Sequence, residues 1–287
     1  MDFRHPTIAE INLVNLGKNF LSIRKLVGND VKVIPIVKAD AYGHGAVAVS
    51  RCLKKNGADA FGVGYLQEGI ELRNAGIDGR IIVFCGIFQG QEELLVKNNL
   101  EPVVYTIDTL ERLNREGLKQ KKKVSVQIKI DTGMGRLGFS VSTAEEILAT
   151  CLQCDWLQIT GVLTHFAEAD SSNHSFTLSQ ARLLKGVISM FQTKGKFSPL
   201  VYASNSAAIL QFTDFSFNAV RPGLILYGVS PLSFEQEKID LLPVLQLKTT
   251  VVQLKNMVSG TSVSYGRRFF TKRDSVIATI PVGYADG

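Results

Sequence analysis

The chain has 287 residues, 45% of them hydrophobic, and a formal net charge of +6; that is ample for a core and more than one core usually serves, so one large domain plus part of another is expected. No apolar stretch approaches the roughly 18 to 20 residues of a membrane span, and the start, Met1-Asp2-Phe3-Arg4-His5, is unlike a signal peptide, which points to a cytoplasmic protein that neither crosses nor binds membranes. The basic residues are scattered, and the one dense run, Lys119 with Lys121-Lys122-Lys123, sits between a helical pattern and a strand as a solvated loop, so no nucleic-acid surface is expected.

In chain order, Thr7 to Ile11 reads as a short extended piece and Asn12 to Val27 as an amphipathic helix. Apolar runs of strand length follow at 31–38, 59–63, 80–85, 102–105, 124–130, 158–164, 199–203 and 218–221. Helical patterns separate them, such as Leu178, Ala181, Leu184, Ile188 and Phe191, which fall on one face. Such alternation over about 200 residues predicts an α/β fold, a (β/α)8 TIM-type barrel. Past Arg221 the rhythm changes to β-rich runs: Leu247 to Lys255, Thr261 to Gly266 and Ser275 to Val282, with Gly and Asp at the turns. The expected division is an extended segment over 1–10 that joins the β domain, a barrel over 11–235, and an incomplete all-β domain over 236–287. Because the chain stops at Gly287, directly after an apolar strand, that last domain is expected to be truncated.

Barrel enzymes carry their chemistry at the C-terminal ends of the strands. Lys38 ends the first run and is followed by Ala39-Asp40-Ala41-Tyr42-Gly43-His44-Gly45, a small-residue turn into a helix. A lysine alone at a strand end more often snorkels outward. An amine dehydrated there would instead be neutral and able to form a Schiff base. Lys129-Ile-Asp131-Thr-Gly-Met-Gly-Arg136-Leu-Gly138 ends the fifth run, His165 the sixth, Ser204-Asn205-Ser206 the seventh and Arg221-Pro-Gly223 the eighth. Asn205-Ser206 reads either as a plain helix cap or as an anion seat, and the two are compatible.

Three other signals carry little. Gly133-Met-Gly135-Arg-Leu-Gly138 spells a dinucleotide fingerprint, but it follows the fifth strand and lacks an acidic residue closing the next one. Cys151-Leu-Gln-Cys154 has redox spacing but ends a helix, and the remaining cysteines, Cys52 and Cys85, complete no zinc site or disulfide framework. His5, His44 and His174 have no ligand-like spacing with His165, so no metal is expected.

Val37-Lys-Ala-Asp-Ala-Tyr-Gly-His-Gly45 closely resembles the pyridoxal-phosphate lysine motif of the alanine racemases. Lys129 to Gly138 matches that family's Lys-Ile-Asp-Thr-Gly-Met-Gly-Arg-Leu-Gly, and the likeness runs from Thr7-Ile-Ala-Glu-Ile-Asn-Leu to Ile280-Pro-Val-Gly-Tyr-Ala-Asp-Gly, six motifs in the family's order. The resemblance implies an enzyme, a racemase that interconverts L-alanine and D-alanine with pyridoxal 5'-phosphate and supplies D-alanine for peptidoglycan. It implies Lys38 as the Schiff-base lysine and Tyr42, Ser206, Gly223 and Leu224 around the phosphate, with Asn205 beside them. It implies His165 packed against the ring and Arg221 facing the pyridine nitrogen. Arg136 would hold the substrate carboxylate, and Lys129 would be the lysine the family often carries as a carbamate. Tyr265, in Val-Ser-Tyr-Gly, would be the second catalytic residue, reaching the site of the other subunit of a homodimer.

Racemisation needs a proton removed on one face of Cα and returned on the other, and Lys38 and Tyr265 are of the right types for a two-base mechanism. An arginine against the pyridine nitrogen suits a racemase better than an aminotransferase. The small pyridoxal-phosphate barrel proteins of cofactor homeostasis share the lysine but have no β domain. The related barrel-plus-β decarboxylases carry a cysteine-centred motif with no counterpart before Gly287. A catalytically impaired racemase fragment, or a racemase of another small amino acid such as serine, remains the alternative.

Overall fold

The computed structural model describes residues 6–195, 199–212, 217–232 and 239–286. Strand β1 (Ile8–Ile11) leads into helix α1 (Leu13–Val27), whose Leu16, Phe20 and Ile23 recur at helical spacing and are fully buried. Then come β2 (Lys32–Val33), α2 (Ala46–Lys55), β3 (Ala60–Val63), α3 (Leu66–Asn74), β4 (Arg80–Val83), α4 (Glu92–Lys97), β5 (Glu101–Val104) and α5 (Ile107–Gln120). These are followed by β6 (Val124–Asp131), the short β7 (Phe139–Ser140), α6 (Ala144–Gln153), β8 (Leu157–Leu163), α7 (Ser175–Gly195), β9 (Leu200–Tyr202), α8 (Ser206–Gln211) and β10 (Ala219–Val220).

Strands β3, β4, β5, β6, β8 and β9 pair in parallel in that order, and β10 pairs in parallel with β2. Backbone bonds close the ring at both seams. On one side Val37 donates to the Gly62 carbonyl at 2.8 Å and Gly62 to that of Pro35 at 2.8 Å; on the other Asn218 donates to the Val201 carbonyl at 3.2 Å and Arg221 to that of Ser204 at 2.9 Å. The expected (β/α)8 barrel is therefore present. The first predicted strand, 31–38, pairs as a ladder only at Lys32–Val33, with Ile36 bridging Gly62. Pro35 has no N–H to give and interrupts it.

Ile34, Ala60, Ile82, Val103, Leu163, Tyr202 and Ala219 meet in the barrel interior, all buried, and each large aliphatic among them contributes about 1.5–3 kcal/mol by leaving water. A polar network meets this cluster at Tyr202. Arg80 forks onto Glu101 with two bonds of 2.7 Å, Glu101 accepts from Gln127 at 2.6 Å and Thr160 at 2.8 Å, and Gln127 accepts the Tyr202 hydroxyl at 3.0 Å. Burial alone would raise the Glu101 carboxyl, but the Arg80 guanidinium and the other donors hold it below the usual carboxylate range.

The chain divides into two compact units, Leu13–Val244 and a second made of the residues up to Asn12 with those from Leu245 onward. The 235/236 boundary expected from sequence lies outside the described residues, as does His5. In the second unit β11 (Leu245–Lys248) pairs antiparallel with β1, matching Ile8 to Lys248 and Ile11 to Leu245. Strand β12 (Gln253–Met257) pairs antiparallel with β15 (Ser275–Thr279), and β13 (Ser262–Val263) with β14 (Phe269–Phe270). Among the described residues this unit holds short 3-10 turns but no α-helix, as its β-rich sequence predicts.

Cys151 and Cys154 are buried and unbridged at the end of α6. Burial pushes the Cys151 thiol up to about 12, the reverse of what a redox thiolate needs. Among the described residues no helix is long and apolar enough to cross a membrane.

Candidate active site

A cavity of about 530 Å³ opens at the C-terminal ends of the barrel strands. Lys38 and Tyr42 line it after β2, Lys129 and Arg136 from and after β6, and His165 after β8. Asn205 and Ser206 line it after β9, and Arg221, Gly223 and Leu224 after β10. The rim candidates read from sequence are thus brought together around one space.

Lys38 does not open an ordinary helix. Ala39, Asp40, Ala41 and Tyr42 have φ of 50, 51, 54 and 56°, one left-handed turn built without glycine. Each such residue costs roughly 1–2 kcal/mol, so neighbours must hold the turn. Asp40 accepts the N–H of Ala46 at 2.6 Å, and Glu68 accepts that of Ala39 at 2.7 Å. His44 lies 4.5 Å from the Tyr227 ring, and the Tyr227 hydroxyl donates to the Ile36 carbonyl at 2.9 Å. The Lys38 ammonium stands 5.9 Å from the centre of the Tyr42 ring. It is exposed at the rim, so the dehydration expected of it from sequence does not occur.

The dehydrated lysine is Lys129. It is buried at 7% exposure, and burial, with the Arg221 and Arg136 cations adding to it, lowers its amine to about 8. An unfolded lysine titrates near 10.5, so the folded chain bears the cost of charging Lys129 in full below about pH 8. Between about 8 and 10.5 the unfolded chain holds the extra proton, stability rises with pH, and the cost is gone above that window. In carbon-dioxide-free buffer, Lys129→Met should therefore raise stability against urea at pH 7 by on the order of 2 kcal/mol, and the gain should shrink towards pH 10.5. A gain that does not change with pH would contradict this origin.

Arg221 is the centre of the rim. It is buried at 8% exposure, with its guanidinium 5.3 Å from the Phe84 ring centre and 5.4 Å from that of Tyr202. Its Nη2 donates to the carbonyls of Thr164 at 3.0 Å and Ala203 at 3.1 Å, and to His165 Nδ1 at 3.0 Å. Its Nε is buried and has no partner among the described residues. Burial lowers the guanidinium to about 10, which leaves it a cation at neutral pH. Burial, then the cations of Arg221, Lys129, Arg136 and Lys38, lowers His165 to about 2, so its ring is neutral.

Around β6 the glycines that spell a dinucleotide fingerprint make a turn instead. Asp131 accepts the N–H groups of Gly133 at 2.9 Å and Gly135 at 3.1 Å, and a Cβ on Gly138 would lie 2.4 Å from the Asp131 nitrogen. Asn205 caps α8 by accepting the N–H of Ala208 at 3.0 Å, so the cap reading holds while the residue still faces the cavity. The Ser206 hydroxyl accepts the N–H of Gly223 at 2.9 Å, which draws the turns after β9 and β10 together.

Tyr265 belongs to the other unit, where it is exposed in the 3-10 turn Tyr265–Arg267. Sequence reasoning missed Phe84 and Cys85, which line the cavity, and Tyr202, on which Arg221 rests, although Cys85 ends the predicted run 80–85 and Phe84 and Tyr202 stand next to last in theirs, close to the ends where the rule that found Lys38 looks.

Residues 11–231 match the family model "Alanine racemase, N-terminal domain" and residues 244–287 "Alanine racemase, C-terminal domain". The chain belongs to the alanine racemase family. It is by that membership an amino-acid racemase in class, an isomerase. It is 42% identical to an alanine racemase of Halothermothrix orenii over 98% of this chain and 74% of that protein. A solved alanine racemase of Clostridium difficile 630 superimposes with a TM-score of 0.92 at 36% identity, covering 99% of this chain and 75% of its own. Another, from Bartonella henselae with covalently bound pyridoxal phosphate, gives 0.88 at 28% identity, covering 99% and 77%.

The residues of this site fit that cofactor. The Arg221 Nε–H, buried and without a partner among the described residues, belongs to a cavity-lining residue and calls for an acceptor such as a pyridine nitrogen, and the Lys38 side chain stands on the same rim.

Proposed function

We propose that the chain interconverts L-alanine and D-alanine by a two-base mechanism with pyridoxal phosphate held at the barrel rim, in the cytoplasm, as a homodimer that shares its sites and supplies D-alanine for peptidoglycan. The observation that carries the reading is the buried Nε of Arg221, without a partner among the described residues, on a side chain that lines the same cavity as Lys38. The bound cofactor supplies an electron sink for the carbanion at Cα.

The chain's own residues do the rest. Lys38 would hold the cofactor covalently until the substrate's amine displaces it, and its released amine would then take or give the Cα proton on one face. Tyr265 of the second subunit serves the other face. Arg221, lowered to about 10 and so a cation at neutral pH, would offer an N–H to the pyridine nitrogen and disfavour a second positive charge there. That would discourage the side reactions, such as transamination, that a site protonating this nitrogen would permit. His165, neutral and fixed by the Arg221 bond, offers a flat uncharged face beside the ring. Ser206, Gly223, Leu224, Tyr42 and Asn205 surround the phosphate. Burial raises the Tyr42 phenol, so that hydroxyl remains a donor. Arg136 takes the substrate carboxylate, and Lys129, neutral in a useful fraction near pH 8, is suited to become the carbamate that pairs with it.

Reduction of the cofactor-loaded chain with borohydride tests the reading. The visible absorbance should vanish and peptide mapping should find the cofactor fixed on Lys38. Label on another lysine, or none, would refute the assignment.

A further inference from the structure

We propose that Glu68 is a positioning residue for Lys38: its carboxylate holds the first peptide of the left-handed turn and so sets where the amine stands. The inference rests on the reading of the site given above.

Glu68 lies in the first turn of α3, where its Oε2 accepts the N–H groups of Gly64 at 2.5 Å and Tyr65 at 3.2 Å, ordinary work for a helix-capping carboxylate. Its Oε1 does something no cap requires. It accepts the N–H of Ala39 at 2.7 Å, from a residue 29 positions away, and that N–H belongs to the peptide that follows Lys38. Gly64 makes room for the approach, because a Cβ there would lie 3.2 Å from Glu68 Oε2 and 3.6 Å from Lys38 Cβ.

The far end of the turn is pinned separately, by Asp40 on Ala46 and by His44 Nδ1, 3.0 Å from the carbonyls of both Ala41 and Tyr42. Of these anchors only Glu68 touches the lysine's own peptide. Four left-handed residues that are not glycine relax unless held. A relaxed turn would move Lys38 relative to Arg221, which is fixed to β8 and β9 by its own bonds. Displacement on the scale of 1 Å is enough to damage a covalent site.

Glu68→Asp separates the two roles. It keeps a carboxylate near the start of α3 but shortens the reach by one methylene. The cofactor-free Asp variant should unfold at nearly the parent's temperature. Its dissociation constant for pyridoxal phosphate should rise about tenfold or more, and the visible circular dichroism of the bound cofactor, which reports its orientation, should weaken. Glu68→Gln, which retains the length and one acceptor oxygen, should fall between. An Asp variant with the parent's affinity and dichroism would overturn the inference. So would Asp and Gln variants that lose fold stability and affinity in proportion, since Glu68 would then be structural only. If the parent chain itself takes up no pyridoxal phosphate, the functional reading falls and this inference with it; if the parent binds and the Asp variant matches it, this inference alone fails.

Discussion

Lys38→Ala should abolish alanine racemisation, with a loss of at least about 10⁴-fold, because on the proposed mechanism it removes the covalent anchor and one of the two proton-transferring groups together. The fold should survive. Lys38 is exposed and makes no hydrogen bond that closes the barrel, whose seams run through Val37, Gly62 and Arg221 backbone groups. The variant should therefore unfold like the parent and still bind pyridoxal phosphate, through Ser206, Gly223 and Arg221, but reversibly. Dialysis should strip it, and added methylamine should restore part of the racemisation by supplying a free amine. A variant whose cofactor resists dialysis and is still fixed to the chain by borohydride would show that another lysine is the anchor.

The rim was legible in the sequence for a physical reason. Eight alternations predict the barrel, and the barrel turns each strand end into a position on one ring, so that Lys38, Lys129, His165 and Arg221 could be grouped although 183 positions separate the first from the last. Two features were not legible. The left-handed turn at Ala39–Tyr42 has no local signal, since alanine and tyrosine prefer right-handed backbone; distant acceptors on Glu68 and the ring of Tyr227 override that preference. That Lys129 and not Lys38 is the dehydrated lysine was also hidden. Lys38 closes its apolar run where the chain turns outward, whereas Lys129 precedes Ile130 and Asp131 inside β6 and is buried, with the Arg221 cation acting on it. The ladder from Arg80 through Glu101 and Gln127 to Tyr202 joins residues from four strands, and no periodicity reveals it. It matters for the site because Tyr202 is one of the two rings on which Arg221 rests.

Tyr265→Phe is the second large effect. Removing only the phenol should leave cofactor binding intact and lower racemisation by about 10²–10⁴-fold, the usual worth of a placed acid–base group. Because L- and D-alanine are equal in free energy, kcat/KM must fall equally in both directions, so rates of racemisation alone cannot show which face Tyr265 serves. Exchange of the Cα proton can. In deuterated water the parent chain should wash deuterium into both enantiomers. The Tyr265→Phe variant should still exchange D-alanine through Lys38 while exchange into L-alanine falls with racemisation. That measurement tests two bases on two faces directly: exchange lost on the L side and kept on the D side is the predicted result, and equal loss from both enantiomers would contradict it.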